Sequence, residues 1–211
     1  MATVTISREL GSYGARVAEG VAAALGWTLV DKGRLDRVFR QYGLSLFSDL
    51  YDKKPTIWDF FNADAKTTLE MYHKVVQAFA KAGNVVLLGR GGFAVLGHRD
   101  DTVDVRVNAP LETRIERVVA RRKGRTPEDA AARIAAQDEV RERFVKQFYG
   151  RTWNDPENFD LVIDTGTTSV EDAVAQVVAA VKAIPADAHE TQELPVDPVL
   201  AKTIDEVLGR A

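Results

Sequence analysis

Arg8, Gly11, Ser12, Tyr13, Gly14 and Arg16 follow directly on a β-branched run, Thr3-Val4-Thr5-Ile6, and lead into an Ala-rich stretch. A glycine-containing turn between a buried strand and a helix start can hold phosphate. Successive N–H groups converge on one anion there, and the helix dipole adds roughly half a positive charge. The same glycines also suit an ordinary strand-to-helix turn needing φ > 0, and the loop alone does not decide between the two. The usual pattern G-x-x-x-x-G-K-[ST] is not met, because Gly14 is followed by Ala15-Arg16 and no lysine stands where one would reach the β/γ-phosphates. Arg16 on the first helical turn and Arg8 at the loop entry are the cations able to replace it. Ser7 and Ser12 are nearby hydroxyls able to help order Mg²⁺, although neither stands at the usual position.

Positioning these residues calls for alternating strand and helix. Val17, Val21 and Leu25 recur at i, i+4, i+8 over Gly14 to Leu25, and Gly26 closes that helix. Thr28-Leu29-Val30 predicts a second strand ending at Asp31, with a helix from Gly33 to Tyr42 after it. From Gly43 to Asn62 the periodicity dissolves into aromatic and charged residues, and a helix is expected from about Ala63 to Ala82. Asn84 to Leu88 predicts a central strand leading to Gly89-Arg90-Gly91-Gly92, and Thr102 to Val107 a fourth strand. Pro110 suits the first turn of a helix reaching Lys123, Gly124 to Gly150 is Arg-rich and helical, Asp160 to Asp164 is a fifth strand, and Val170 to Ile184 is an amphipathic helix.

Five short apolar strands separated by helices predict an α/β fold, a parallel sheet with helices on both faces, whose ligands bind beyond the carboxyl ends of the strands. Arg8 and Gly11, Asp31, and Arg90 fall at three of those ends.

Composition narrows the class. With 211 residues, 45% apolar and 28% charged, the chain can bury one good core and is expected to form one main domain with a smaller appendage. A net charge of −3 gives no reason to expect nucleic acid as a partner. There is no Cys, which excludes disulfides and thiolate metal sites, and three scattered His residues make a His-based metal site improbable. No apolar run approaches the ~18 residues of a membrane span and the chain starts on a core strand, so a cytoplasmic location is expected.

Three segments together, Thr5 to Gly14, Leu88-Gly89-Arg90-Gly91, and Gly150-Arg151-Thr152-Trp153-Asn154-Asp155-Pro156-Glu157-Asn158-Phe159-Asp160-Leu161-Val162-Ile163, resemble the cytidylate-kinase-like family of P-loop proteins. The resemblance spans roughly Thr3 to Val181. It implies a nucleoside monophosphate kinase fold: a doubly wound P-loop core over 1–184, a monophosphate-binding insertion at about 43–82, and an Arg-bearing lid at about 121–150 that closes over ATP. By the same resemblance Asp31 and Arg37 hold the acceptor nucleotide, Arg90 binds its phosphate, and ATP with Mg²⁺ are the cofactors. The family's cytosine-reading aspartate after that arginine is Gly91 here. Asp138-Glu139-Val140-Arg141 matches the second half of the family pattern R-D-x-x-D-x-x-R; the first half is missing and Arg133 lies nearby.

Phosphoryl transfer needs two substrates in line and neutralisation of charge on the equatorial oxygens, hence Mg²⁺, backbone N–H groups and Arg forks. Arg16, Arg90 and Arg141 are the candidate catalytic residues. Arg8, Gly11, Ser12, Tyr13, Gly14 and Arg16 are candidates to hold ATP, and Asp31, Arg37, Arg90 and Asp138 to hold the acceptor. Arg121, Arg122 and Arg125 serve either a closing lid or a solvated helix face beside Glu112, Glu116 and Arg117. Asp164 is read as a cap ahead of the helix starting at Ser169, the alternative being a metal or acceptor carboxylate. Phe47, Tyr51, Trp58, Phe60 and Phe61 can stack on a base, hinge a closure, or pack a homodimer contact. The 185–211 tail reads as a Pro-rich linker and a short helix, Val199 to Leu208, docked on the core or on a second subunit. The leading expectation is transfer from ATP to CMP or dCMP. A nucleotide-binding regulatory protein with impaired catalysis, and a kinase of another small acceptor, are the alternatives.

Overall fold

Thr3–Arg8 (β1) is β-branched and buried on both faces, which suits the middle of a parallel sheet. In this computed structural model, residues 1–42, 63–121 and 124–210 are described, with the side chains of 63–65 outside the description. The aromatic stretch from Phe47 to Phe61 and Arg122 therefore lie outside the described residues. Around β1 stand β2 (Thr28–Val30), β3 (Val85–Leu88), β4 (Thr102–Asn108) and β5 (Leu161–Asp164), all parallel, in the order β2-β3-β1-β4-β5. Because β1 lies between β3 and β4, the loops leaving β1 and β3 open side by side on one rim.

The two faces differ in chemistry. On one, Val4, Ile6, Val86, Val103, Val105, Val107 and Ile163 pack under α1 (Gly14–Leu25) and α7 (Val170–Lys182). The other face carries Val85 and Leu87 toward an aromatic core, while β1 and β4 present Thr3, Thr5, Ser7, Thr102, Asp104 and Arg106, all buried. Buried polar groups cost 1–3 kcal/mol each unless bonded, so this half must be laced by hydrogen bonds.

The helices closing the aromatic face are α2 (Lys32–Gln41), α3 (Ala63–Ala82), α4 (Gly92–Leu96), α6 (Pro127–Tyr149) and α8 (Pro198–Leu208), with α5 (Leu111–Ala120) packed on α6. The second half of the expected insertion, 63–82, is thus a core helix: Tyr72, Val75, Val76 and Phe79 on α3 are buried against β3 and α8. A Phe79→Ala cavity there would cost about 3–5 kcal/mol. The tail docks on this core through Leu200, Ile204 and Val207. Lys81 Nζ donates to the Leu194 carbonyl at 2.7 Å and Arg210 to those of Ala82 and Gly83 at 2.6 and 2.8 Å.

Among the differences from the sequence expectation, one helix boundary and one cap have local reasons. Helix α6 starts at Pro127 rather than Gly124 because Thr126 and Asp129 form a reciprocal capping box ahead of the proline, at 3.2 and 3.3 Å. Asp164 does not cap α7. Its carboxylate accepts from the Gly166 N–H at 2.7 Å in the turn before the helix, and Ser169 caps α7 by accepting from the Asp172 N–H.

Candidate active site

The rim where β1 and β3 end gathers three arginines into one cleft: Arg8, Arg90 and Arg141, with Ser7, Val145 and Trp153 among the walls. Gly89, Arg90 and Gly91 all have positive φ, 76°, 55° and 72°. A Cβ at residue 89 would collide with the Arg8 guanidinium, so glycine there lets Arg8 cross the end of β3. Arg90 holds the left-handed conformation without being glycine, at a cost of about 1 kcal/mol or more, and is 3% exposed. The Tyr72 hydroxyl donates to its carbonyl and fixes that turn from α3.

Arg141 and Val145 come from α6, so this helix is the roof. The space beneath, about 10 Å³ for a water's centre, holds roughly one water.

Beside the buried Ile134, Phe144 and Val145, a charge network under the β1–α1 loop ties α6 down. Asp138 on α6 accepts from the Leu10 N–H at 3.1 Å, from Arg114 Nη1 at 2.5 Å and from Arg141 Nη1 at 2.7 Å. Glu9 lies 3.4 Å from Arg114 and 3.5 Å from Arg106, and accepts from the Ala109 N–H at 3.3 Å. Arg106 is 2% exposed; burial pulls its pKa down while Glu9 and Asp138 oppose that. Its guanidinium lies 4.3 Å over the Trp153 ring and donates to the Trp153 carbonyl at 3.3 Å, and Trp153 Nε1 donates to Ser7 Oγ at 3.0 Å. Three guanidinium groups thus share two carboxylates, leaving the rim positive.

The loop itself is pinned by protein. Gly11, at φ 88°, leaves no room for a Cβ against the Arg114 carbonyl at 2.9 Å, and Gly14 none against the stem of Arg8. Ser12 is fully buried and its hydroxyl donates to the Glu9 carbonyl at 3.0 Å. Tyr13, at φ 58°, heads α1 without a side-chain cap, which leaves first-turn N–H groups without a capping side chain. Its ring is flanked by the guanidinium groups of Arg16, at 4.4 Å, and Arg117, at 3.9 Å. Arg117 also donates to the Gly11 carbonyl at 3.3 Å and to the Thr165 hydroxyl and carbonyl at 3.0 and 2.7 Å, tying the loop to the end of β5.

The structure therefore brings Arg8, Arg90 and Arg141 together, with Asp138 directly behind Arg141. Arg16 is exposed beside Tyr13 and lies outside the cleft lining. Asp31 caps α2, accepting from the Arg34 N–H at 3.0 Å, and Arg37 is exposed on that helix; neither lines the cleft. At residue 91 the positive φ is joined by crowding: a Cβ would sit 3.2 Å from the Tyr149 ring, which is bonded to His73 Nε2 at 3.1 Å. The room an aspartate would use is occupied by Tyr149.

The oxygen donors near the loop do not form a cage for Mg²⁺. Among the described residues, Ser7 and Ser12 are engaged as above, Glu9 and Asp138 face arginines, and Asp164 holds its turn. Mg²⁺ keeps several waters and is commonly held by substrate phosphates, so it would come with the nucleotide rather than to a built site.

Glu9, Arg106 and Arg114 were not singled out from sequence. The available signal was Asp104 and Arg106 alternating with Val103, Val105 and Val107 in a central strand, which puts charge on one covered face.

The chain is similar to known proteins in sequence and in fold. The sequence model of the cytidylate kinase-like family matches residues 3–167. A cytidylate kinase of Pyrobaculum aerophilum is 34% identical over 178 residues, covering 82% of this chain and 89% of that protein. Among solved structures, an uncharacterized protein from Eubacterium ventriosum superposes with a TM-score of 0.67 at 18% identity, covering 87% of this chain and 99% of that one. An unliganded sugar kinase from Janibacter superposes with a TM-score of 0.51 at 17% identity, covering 89% and 98%.

Proposed function

The chain belongs to the cytidylate kinase-like family, and from that we propose that it transfers the γ-phosphoryl group of ATP to a nucleoside monophosphate, CMP or dCMP being the leading acceptors. The observation that carries this reading is the convergence of Arg8, Arg90 and Arg141 on one cleft at the carboxyl ends of β1 and β3. Such forks neutralise the acceptor phosphate and the charge that spreads in the transition state. Arg90, buried and fixed by Tyr72, suits the acceptor phosphate. Arg141, carried by the roof and held by Asp138, suits the transferring group, because it reaches the cleft only when α6 is down.

The charge that a P-loop lysine supplies elsewhere falls to the loop's arginines. Arg8 reaches the cleft and Arg16 stands on the first turn of α1, so Arg8 suits the shared phosphate and Arg16, stacked on Tyr13, the outer nucleotide. Gly11 to Gly14 would contribute N–H groups to the same anion. Asp31 and Arg37 belong to this reading only as a second row that approaches when the acceptor binds. ATP with water-carried Mg²⁺ is the donor.

A second reading, a different small acceptor, is favoured by one observation: Tyr149 fills the place where the family's cytosine-reading aspartate would project. ADP release from the purified protein with Mg-ATP and each of CMP, dCMP, UMP, AMP and small hydroxyl-bearing acceptors tests both. Turnover with a cytidine nucleotide supports the first. Turnover only with another acceptor supports the second, and ATP binding without turnover on any acceptor favours a nucleotide-binding regulatory protein.

A further inference from the structure

On the far side of the sheet's polar face from the loop, three residues separated widely in sequence meet: His98, just after α4, Asp104 on β4 and Asp160, just before β5. Their ligand atoms all lie within 4.8 Å of one another, and His98 Nδ1 is 3.9 Å from both Asp104 Oδ2 and Asp160 Oδ1.

The backbone holds two of the three rigidly. The Asp104 N–H donates to Asp160 Oδ2 at 2.7 Å and the Asp160 N–H donates to the Asp104 carbonyl at 2.8 Å. The Thr5 hydroxyl donates to Asp104 Oδ1. The other oxygen, Asp104 Oδ2, is the anomaly: the side chain is 1% exposed, and this oxygen has no hydrogen-bond partner among the described residues. A buried carboxylate oxygen left bare costs more than a neutral group and asks for a proton or a cation.

We propose that His98 Nδ1, Asp104 Oδ2 and Asp160 Oδ1 bind a divalent transition-metal ion of the Zn²⁺ class. One imidazole nitrogen and two carboxylate oxygens form a three-protein-ligand set that leaves a fourth position to water. Bonds of about 2.0–2.1 Å in a tetrahedron separate ligand atoms by about 3.3 Å, so the site closes if His98 moves inward by less than an ångström or two. His98 is able to do so: its side chain is 53% exposed, on a turn that follows Gly97. Such an ion would staple the end of α4 to the β4–β5 edge and, through Asp104 and Thr5, to the floor of the arginine cleft. Sequence spacing gave no sign of it, because the three ligands come together only through the pairing of β4 with β5.

This proposal does not depend on the phosphoryl-transfer reading. The test is calorimetric titration of the chelator-stripped full chain with Zn²⁺ alone, near pH 7.5, on wild type and on His98→Ala, Asp160→Asn and His189→Ala. His98 and Asp160 are exposed, so their variants are expected to fold, and circular dichroism checks this. His189 controls for the surface pair with Glu193, 3.3 Å apart. The expected result is one equivalent bound with micromolar affinity or better, weakened at least about tenfold by His98→Ala and by Asp160→Asn but not by His189→Ala. Absence of stoichiometric binding, binding unchanged in the first two folded variants, or binding lost in His189→Ala would each overturn the assignment.

Discussion

Replacing Asp138 by Asn preserves the side chain's shape and removes one of the two negative charges that, among the described residues, face Arg106, Arg114 and Arg141. Asp138 is 17% exposed and its two arginine partners 11% each, so solvent screens the network only in part. Two charge-assisted bonds contribute about 1.5–3 kcal/mol each, which bounds the loss at about 3–6 kcal/mol. An asparagine oxygen can still accept one bond, for instance from the Leu10 N–H, and the expected loss falls to about 2–4 kcal/mol. For a chain of this length that is a drop in Tm of about 5–15 °C. Urea unfolding followed by circular dichroism measures it, with Glu142→Gln on the exposed face of α6 as control. A cycle with Arg114→Met should show coupling above about 1 kcal/mol. A loss below about 0.5 kcal/mol, or additive behaviour in the cycle, would refute the view that this carboxylate latches the roof helix.

Gly91→Asp is expected to cost about 1–2 kcal/mol, from the positive φ and the Tyr149 ring 3.2 Å from its Cβ, and to bring no preference for cytidine over uridine nucleotides. An unchanged melting temperature together with a gained cytidine preference would show that Tyr149 does not occupy that space. His73 has its pKa lowered, chiefly by burial and against Glu70, so the unfolded chain takes up its proton first. The stability this residue contributes is complete above the ordinary histidine value of about 6.5 and is lost as pH falls through the lower folded value. Melting temperatures of wild type and His73→Gln should therefore converge on acidification below pH 6.5; curves that stay parallel would contradict it.

The sheet was legible because each strand is a short apolar run ending at a polar residue, and because proline and glycine mark helix ends at Pro110, Gly26 and Gly150. Arg8, Arg90 and Arg141, which line one cleft, were legible as candidates from strand ends and motif. Asp31 shows the limit of that reasoning: an acid at a strand end is equally a helix cap, and here its carboxylate is bonded to the Arg34 N–H. The network that positions the arginines was hidden for a different reason. Glu9, Arg106, Arg114 and Asp138 have no sequence periodicity in common and meet only because β4 pairs with β1 and α6 folds back over both. Orientation was equally out of reach, since Arg8 and Arg16 flank one loop and only the positive φ at Gly89 shows which of them crosses to β3. Among the described residues no helix is long and apolar enough to cross a membrane.

In the proposed reaction Arg90 serves the acceptor phosphate and Arg16 the outer nucleotide. Steady-state ADP release with Mg-ATP and the best acceptor, on wild type, Arg90→Ala and Arg16→Ala, tests it most directly. The account predicts that Arg90→Ala raises the acceptor KM and lowers kcat/KM by about 10²–10³, while Arg16→Ala acts mainly on the KM for ATP. An Arg90→Ala protein that turns over with wild-type acceptor KM and kcat would contradict it.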